Sequence, residues 1–260
     1  MSGNSDRERK ERIMLGEPIE HPCGLTFHPF TMRQYEEWTL LKRSLILRQS
    51  TMPGKYAIMP YLSALYAMDY EARFQIGIFR GTLELIARAS LLPVEKFSFR
   101  MKADNPSELL DISYHDETHD VKITPADFPT IRTLLAEQNG EKIPDEAENP
   151  ELVQAEMDIA AMRAGNLKYD FETMIDSMAY QLRKTKQEVL GMTVREFMRT
   201  RSAIDRDKLY MLLAAAEYGG MVKFTKGNPQ PSWMLDLSKD EPMSLEKMSD
   251  FAARTGINRA

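Results

Sequence analysis

KFSFRMKADNPSELLDISYHDETHDVKI, residues 96–123, is the stretch that decides the fold class. Phe97, Phe99 and Met101 recur at every second position, then Leu110, Ile112 and Tyr114, then Val121 and Ile123. A repeat of two is the signature of one face of a β-strand. Asp116-Glu117-Thr118 is turn material, so the last two runs form a hairpin. The other periodic stretches follow helical spacing. The chain therefore reads as α+β, mainly α-helical, with a small antiparallel β element at about 96–124 that needs helix cover to be stable.

Upstream, the start MSGNSDRERKER is polar and has no apolar h-region, so residues 1–20 read as a flexible N-terminal arm. Thr31 and Gln34 form a capping box, with Phe30 and Tyr35 at its staple positions. The spacing predicts a helix from there to about Arg48, with Tyr35, Trp38, Leu41 and Leu45 on one stripe. Pro53-Gly54 breaks it. Further helices are expected over about Tyr56–Tyr70 and from Glu71 or Phe74 to Ser90. Downstream of the β element, Thr124-Pro125 and Asp127 open a helix ending near Gly140. Residues 141–150, EKIPDEAENP, read as an acidic linker or loop. It divides a helical part with a small sheet (21–140) from a C-terminal helical part (151–260). Within the latter, helices are expected from Asn149 to Gly165, from Asp170 to Leu182, and after Ser244, with a short strand at Val222–Phe224.

Two capping boxes stand close together in KTKQEVLGMTVREFMRT, residues 184–200: Thr185 with Glu188, and Thr193 with Glu196. Gly191, between them, is placed to end the first helix in the left-handed conformation. This is a helix–turn–helix corner. The same geometry serves DNA-binding units and ordinary structural corners. Arg195, Arg199 and Arg201 favour DNA. Against it stand a second helix of about 25 residues, longer than a usual recognition helix, and its carboxylates Glu196, Asp205, Asp207 and Glu217.

Net charge is −5 and the sequence pI about 5.6, which makes a broad nucleic-acid or membrane-surface binder unlikely chemistry. No apolar run approaches membrane-spanning length. The single cysteine, Cys23, excludes an internal disulfide and fits a reducing compartment. His115 and His119, with Asp116, Glu117 and Asp120, are the densest group of ligand-type side chains; His21, Cys23 and His28 are a second group. Neither has a standard zinc spacing, and solvated turn residues are the plainer reading. Nucleophile-elbow, phosphate-loop and His-Glu-x-x-His patterns are absent, so neither catalysis nor a cofactor is expected.

What the chain does have is apolar and aromatic material beyond one tidy core. Trp38, Tyr56, Tyr61, Tyr66, Tyr70 and Phe74 are interleaved with Met59 and Met68, and the chain holds 18 Met. Thioether side chains suit surfaces that repack around a partner. Trp38, Met59, Tyr66, Met198 and Trp233 are the candidate partner-binding residues.

The order GLTFHPFTMRQYEEW (24–38), LRQSTMP (47–53), YLSALYAMD (61–69), ITPADFPTIRTLLAEQ (123–138), YDFETMIDSMAYQL (169–182), EVLGMTVREF (188–197) and RSAIDRDKLY (201–210) resembles the tail assembly chaperones of tailed phages and prophages. These are encoded between the tail tube and the tape measure protein. The resemblance implies a non-catalytic role in the cytoplasm of the bacterial host. It implies binding of the tape measure protein, with the tail tube protein as a second client and self-association along a long client. A helix-turn-helix DNA-binding regulator using residues 185–206 is the alternative.

Overall fold

The computed structural model describes residues 2–147 and 170–220, with positions 149, 151, 155, 158, 159, 224, 229, 230 and 232–234 besides. The helices expected after Asn149 and after Ser244, and the strand at Val222–Phe224, fall mostly outside the described residues. The chain divides into two compact units, residues 1–198 and 199–260. The class is α+β and mainly helical, with a three-stranded and a two-stranded antiparallel sheet.

The first unit opens with helix α1 (Ser2–Leu15) where an arm was expected. Ile13 is buried, and Arg9 pairs with Glu137 at 2.5 Å. Polar composition misled here, because one apolar side chain and cross-chain ion pairs are enough to seat a helix against a core. Strands β1 (Ile19–Glu20) and β2 (Thr26–Phe27) form a short hairpin. The single helix expected over 31–48 is split into α2 (Tyr35–Leu41) and α3 (Arg43–Ile46). Pro60 likewise separates α4 (Gly54–Ala57) from α5 (Tyr61–Glu71).

Helix α5 is the centre of the unit. Tyr61, Leu62, Ser63, Ala64, Leu65, Tyr66 and Ala67 are all buried. A helix apolar all round belongs in a core rather than at a surface. Around it pack α6 (Ile78–Ala89) and α7 (Phe128–Asn139). Helix α7 starts with Pro129 in its first turn, as expected, and ends at Gly140, whose φ of +76° only glycine adopts freely.

The β element is β3 (Phe97–Met101), β4 (Leu109–His115) and β5 (Asp120–Ile123), in the order β3-β4-β5. The expected alternation holds for Ile112, Tyr114, Val121 and Ile123, all buried. It fails at Leu110, which is exposed, while Leu109 is buried. The cause is a register shift: Arg100 faces Asp111 but Met101 faces Leu109. The extra residue turns Leu110 out of the core. On the opposite face, Asp111 is buried between Arg100, which donates two bonds at 2.6 and 3.0 Å, and Lys122 at 3.3 Å. The hairpin tip is organised by Asp116, which accepts from the Tyr114 hydroxyl (2.7 Å), the Thr118 N–H (2.8 Å) and the His119 N–H (2.7 Å).

These contacts hold both carboxyls below the usual range, Asp111 chiefly through the Arg100 bond and Asp116 chiefly through the Tyr114 hydroxyl. A depressed folded value means that the stabilisation is present above the unfolded pKa, about 3.9, and lost as pH falls through the folded value. The urea midpoint, followed by circular dichroism, is thus expected to decline below about pH 4. The Asp111→Asn, Asp116→Asn double variant should start lower at neutral pH and decline less steeply. An acid limb of unchanged slope in the variant would contradict the assignment.

Of the acidic stretch, residues 141–147 form a loop, one of the two readings, but not a free linker. Glu141 pairs with Lys42 at 2.6 Å, the Asp145 carbonyl accepts from Arg48 at 2.6 Å, and Glu146 accepts from the N–H groups of Gln49 and Ser50, both at 2.9 Å. Nor does the chain leave the first unit after it. Helices α8 (Phe171–Leu182), α9 (Lys186–Gly191) and the start of α10 (Val194–Tyr218) return to it. Tyr35 stacks on Phe171 at 5.8 Å. The segment His28–Met32 is the keystone. His28 N–H donates to the Ala89 carbonyl (2.7 Å) at the end of α6, and Phe30 N–H to Asn139 Oδ1 (2.8 Å) at the end of α7. Val194 N–H donates to the Phe30 carbonyl and Met32 N–H to the Met192 carbonyl, both at 2.9 Å.

Candidate functional site

The corner at 185–196 is capped as its residues require. Thr185 N–H donates to Glu188 Oε2 (2.8 Å) and Glu188 N–H to Thr185 Oγ1 (3.2 Å). Glu196 N–H donates to Thr193 Oγ1 at 3.1 Å. Gly191 does not take the left-handed conformation expected of it. It closes α9, and extended Met192 makes the turn. The reason is the bridge between Thr31 and Thr193, whose flanking bonds need extended backbone. Val194 and Phe197 are buried, and Arg195 Nη1 donates to the Glu137 carbonyl at 2.7 Å. A recognition helix offers its N-terminal side chains to base edges. Here the N-terminal turn of α10 is spent on the ends of α7 and on the keystone segment.

Of the candidate partner-binding residues, Trp38 and Tyr66 have no exposure at all. They are corrected to core. Trp38 packs on Phe30 with ring centroids 5.1 Å apart, and Tyr66 is enclosed by Tyr70, Phe74, Phe79 and Phe99. Met59 and Met198 are half-buried. Trp233, in the second unit, is exposed. With Trp38 and Tyr66 in the core, the four candidates of the first unit do not make an exposed surface.

A surface does form around Tyr66, from residues that the linear order scatters. Tyr70 (37% exposed), Phe74 (47%) and Phe99 (37%) lie with ring centroids 5.9, 6.2 and 5.6 Å from Tyr66. Phe99 also meets Phe79 edge-on at 5.4 Å. Met101 (44%) stands two residues further along β3, and Ile76 (55%) follows Phe74 in the chain. Contiguous exposed apolar residues of this kind mark partner sites in water-soluble folds. Tyr70 and Phe74 stood out in the sequence as part of the aromatic run. Phe99 and Met101 did not, because strand alternation alone reads as core.

The surface is held in place at a conformational cost. Arg73 (φ +53°) and Phe74 (φ +59°) are consecutive non-glycine residues in the left-handed region. Each such residue costs on the order of 1 kcal/mol. Asp69 stabilises the turn. Its backbone carbonyl accepts from Phe74 N–H (2.5 Å), and its fully buried carboxylate accepts from Phe79 N–H (2.6 Å). Gly77 stands at the N-cap of α6 and has no side chain to cap with. Asp69 supplies that acceptor from eight residues upstream, at the end of the helix where a negative charge is favoured. Among the described residues its second oxygen, Oδ1, has no hydrogen-bond partner. Asp69→Ala is expected to cost about 1–2 kcal/mol in urea unfolding, and Asp69→Asn less, since an amide oxygen still accepts. Equal losses for the two variants would mean that charge rather than capping is what counts.

Beside this surface, a groove of 420 Å³ runs between α2–α3 and α6, lined by Leu40, Leu41, Ile76, Ile78, Arg43 and Arg80 among others. The Ser44 hydroxyl, also in its wall, donates to the Leu41 carbonyl at 3.0 Å. At the hairpin tip, His119 lies 3.2 Å from Asp116, and His115 lies 3.7 Å from Asp120. Among the described residues no three His, Cys, Asp or Glu side chains converge to hold a metal ion. No described helix is long and apolar enough to cross a membrane.

Compared with protein-family models, with curated proteins and with solved structures, the chain matches none.

Proposed function

We propose that the protein is a non-catalytic binding protein that shields apolar surface on a client, acting as a tail assembly chaperone for a phage-like tape measure protein in the host cytoplasm. The observation that carries the binding part is the half-exposed surface of Tyr70, Phe74, Phe99 and Met101 around Tyr66, with Phe74 held on a strained turn. The client's identity comes from the resemblance of the sequence to such chaperones. Partner sites are enriched in aromatic and methionine side chains. Strain preserved at an exposed aromatic is a feature of functional turns rather than of packing. Against the DNA-binding alternative stands the corner, whose first residues are engaged with α7 and the keystone segment.

The test is co-expression with a phage-like tape measure protein as the long helical client, followed by size exclusion. Co-elution, with the client precipitating when expressed alone, is the expected result. If the two do not associate and the protein instead binds duplex DNA with a steep salt dependence, the chaperone reading falls and the regulator takes its place.

A further inference from the structure

We infer that the free edge of β3 receives an extended segment of the partner as an added strand, and that this segment alternates apolar with acidic residues. The inference rests on the client-binding reading and specifies how the client is held. Strand β3 is an edge. It pairs with β4 alone, and among the described residues no backbone bond reaches its other side. An edge of this kind presents unpaired N–H and C=O groups that a partner strand satisfies. Phe97, Phe99 and Met101 share one face of β3. Phe97 is buried, while Phe99 and Met101 are half-exposed, because cover is missing on the open side. An added strand would set its apolar side chains beside Phe99 and Met101, next to the aromatic group around Tyr66. Strand addition therefore joins the unpaired edge and the aromatic surface into one site.

The charges on the other face select the occupant. Lys96, Ser98, Arg100 and Lys102 alternate with the apolar set. Arg100 and Lys102 are bonded to Asp111 and Glu108, and Lys96 has no carboxylate partner among the described residues. A second copy of β3, paired antiparallel about Phe99, would set Lys96 against Lys102. Like charges directly opposite one another are destabilising. The same cations that discourage pairing with a copy of the chain favour a strand with carboxylates at those positions. A client segment with the alternation of Val and Glu meets both faces.

The probe is a fluorescein-labelled peptide alternating valine and glutamate (VEVEVEV), titrated by anisotropy into the full-length protein. Two further versions are N-methylated on one or the other alternate set of residues, which removes the N–H groups of one strand edge at a time. The expected result is saturable binding, and binding at least about tenfold weaker when lysine replaces glutamate. One N-methylated version should be lost and the other retained, and the amides of 97–101 should gain protection from hydrogen exchange. Absence of binding, equal binding of both N-methylated versions, or no new protection at 97–101 would overturn strand addition. Retention of the co-expressed client is read separately. If the client is retained and the peptide fails, the inference is wrong and the binding reading stands. If the peptide binds and the client precipitates, the binding reading is wrong and the edge site stands.

Discussion

Arg132→Met is expected to destabilise the first unit by about 3 kcal/mol, read from urea unfolding followed by circular dichroism. Helix α3 ends at Ile46, and the carbonyls of Ser44, Leu45 and Leu47 are taken up by side chains from other elements. Arg132, on α7, is buried and donates Nε to the Leu45 carbonyl (2.7 Å) and Nη2 to the Leu47 carbonyl (3.1 Å). Its guanidinium lies 3.8 Å from the centroid of the Tyr61 ring. The Tyr61 hydroxyl completes the set, its one hydrogen shared between the carbonyls of Ser44 (2.7 Å) and Leu47 (2.9 Å). Burial lowers the pKa of Arg132 and pushes that of Tyr61 up to about 12. Methionine fills the volume but donates nothing. It strips the Leu45 carbonyl of its donor at about 1–3 kcal/mol, while Tyr61 still reaches Leu47, and forfeits a cation–π contact of about 1 kcal/mol. Arg132→Lys keeps the charge but cannot bridge both carbonyls and stack on the ring, so it should fall between. A methionine variant as stable as the parent would mean that water reaches the end of α3.

What was legible in the sequence is what short stretches decide. The strand alternation of 96–123 and the Thr185–Glu188 and Asp170 caps are arrangements within four residues of chain. The structure has them nearly where the residues put them, because local bonding alone is enough to form them. Long-range arrangements were not legible. Nothing in HPFTM announces that Phe30 and Met32 will bond both the end of α7 and the turn at Met192–Val194, more than 100 residues away. That pairing is also why Gly191 was misread, since a bridge to Thr31 demands extended backbone where the local pattern suggested a left-handed turn. The acidic loop was read as a boundary from composition. Its carboxylates are instead partners for Lys42, Gln49 and Ser50. For the proposed site, aromatic content marks out the run from Trp38 to Phe74 without separating its exposed members from its buried ones. Trp38 and Tyr66, both in that run, are fully buried. The exposed Phe74 depends on Asp69 and on two positive φ values that no composition reveals.

Phe74→Gly is expected to separate stability from binding. Glycine relieves about 1 kcal/mol of left-handed strain. Removing a half-exposed ring forfeits roughly 1 kcal/mol of burial, so the urea midpoint should stay close to that of the parent. Client capture should nevertheless weaken about 30-fold or more, the effect of a central aromatic worth about 2 kcal/mol. The comparison with Trp38→Ala makes the measurement decisive. Trp38 is fully buried, and its loss should cost about 3–5 kcal/mol of stability, reducing capture only as far as it reduces the folded fraction. A side chain kept at positive φ, with its ring half in water, contributes little to folding that glycine could not replace. A partner resting on the ring is what would give it a role beyond its contacts with Tyr66 and Tyr70. Capture by Phe74→Gly equal to that of the parent would remove the aromatic surface as the client site. It would leave β3 to be tested through its backbone edge alone.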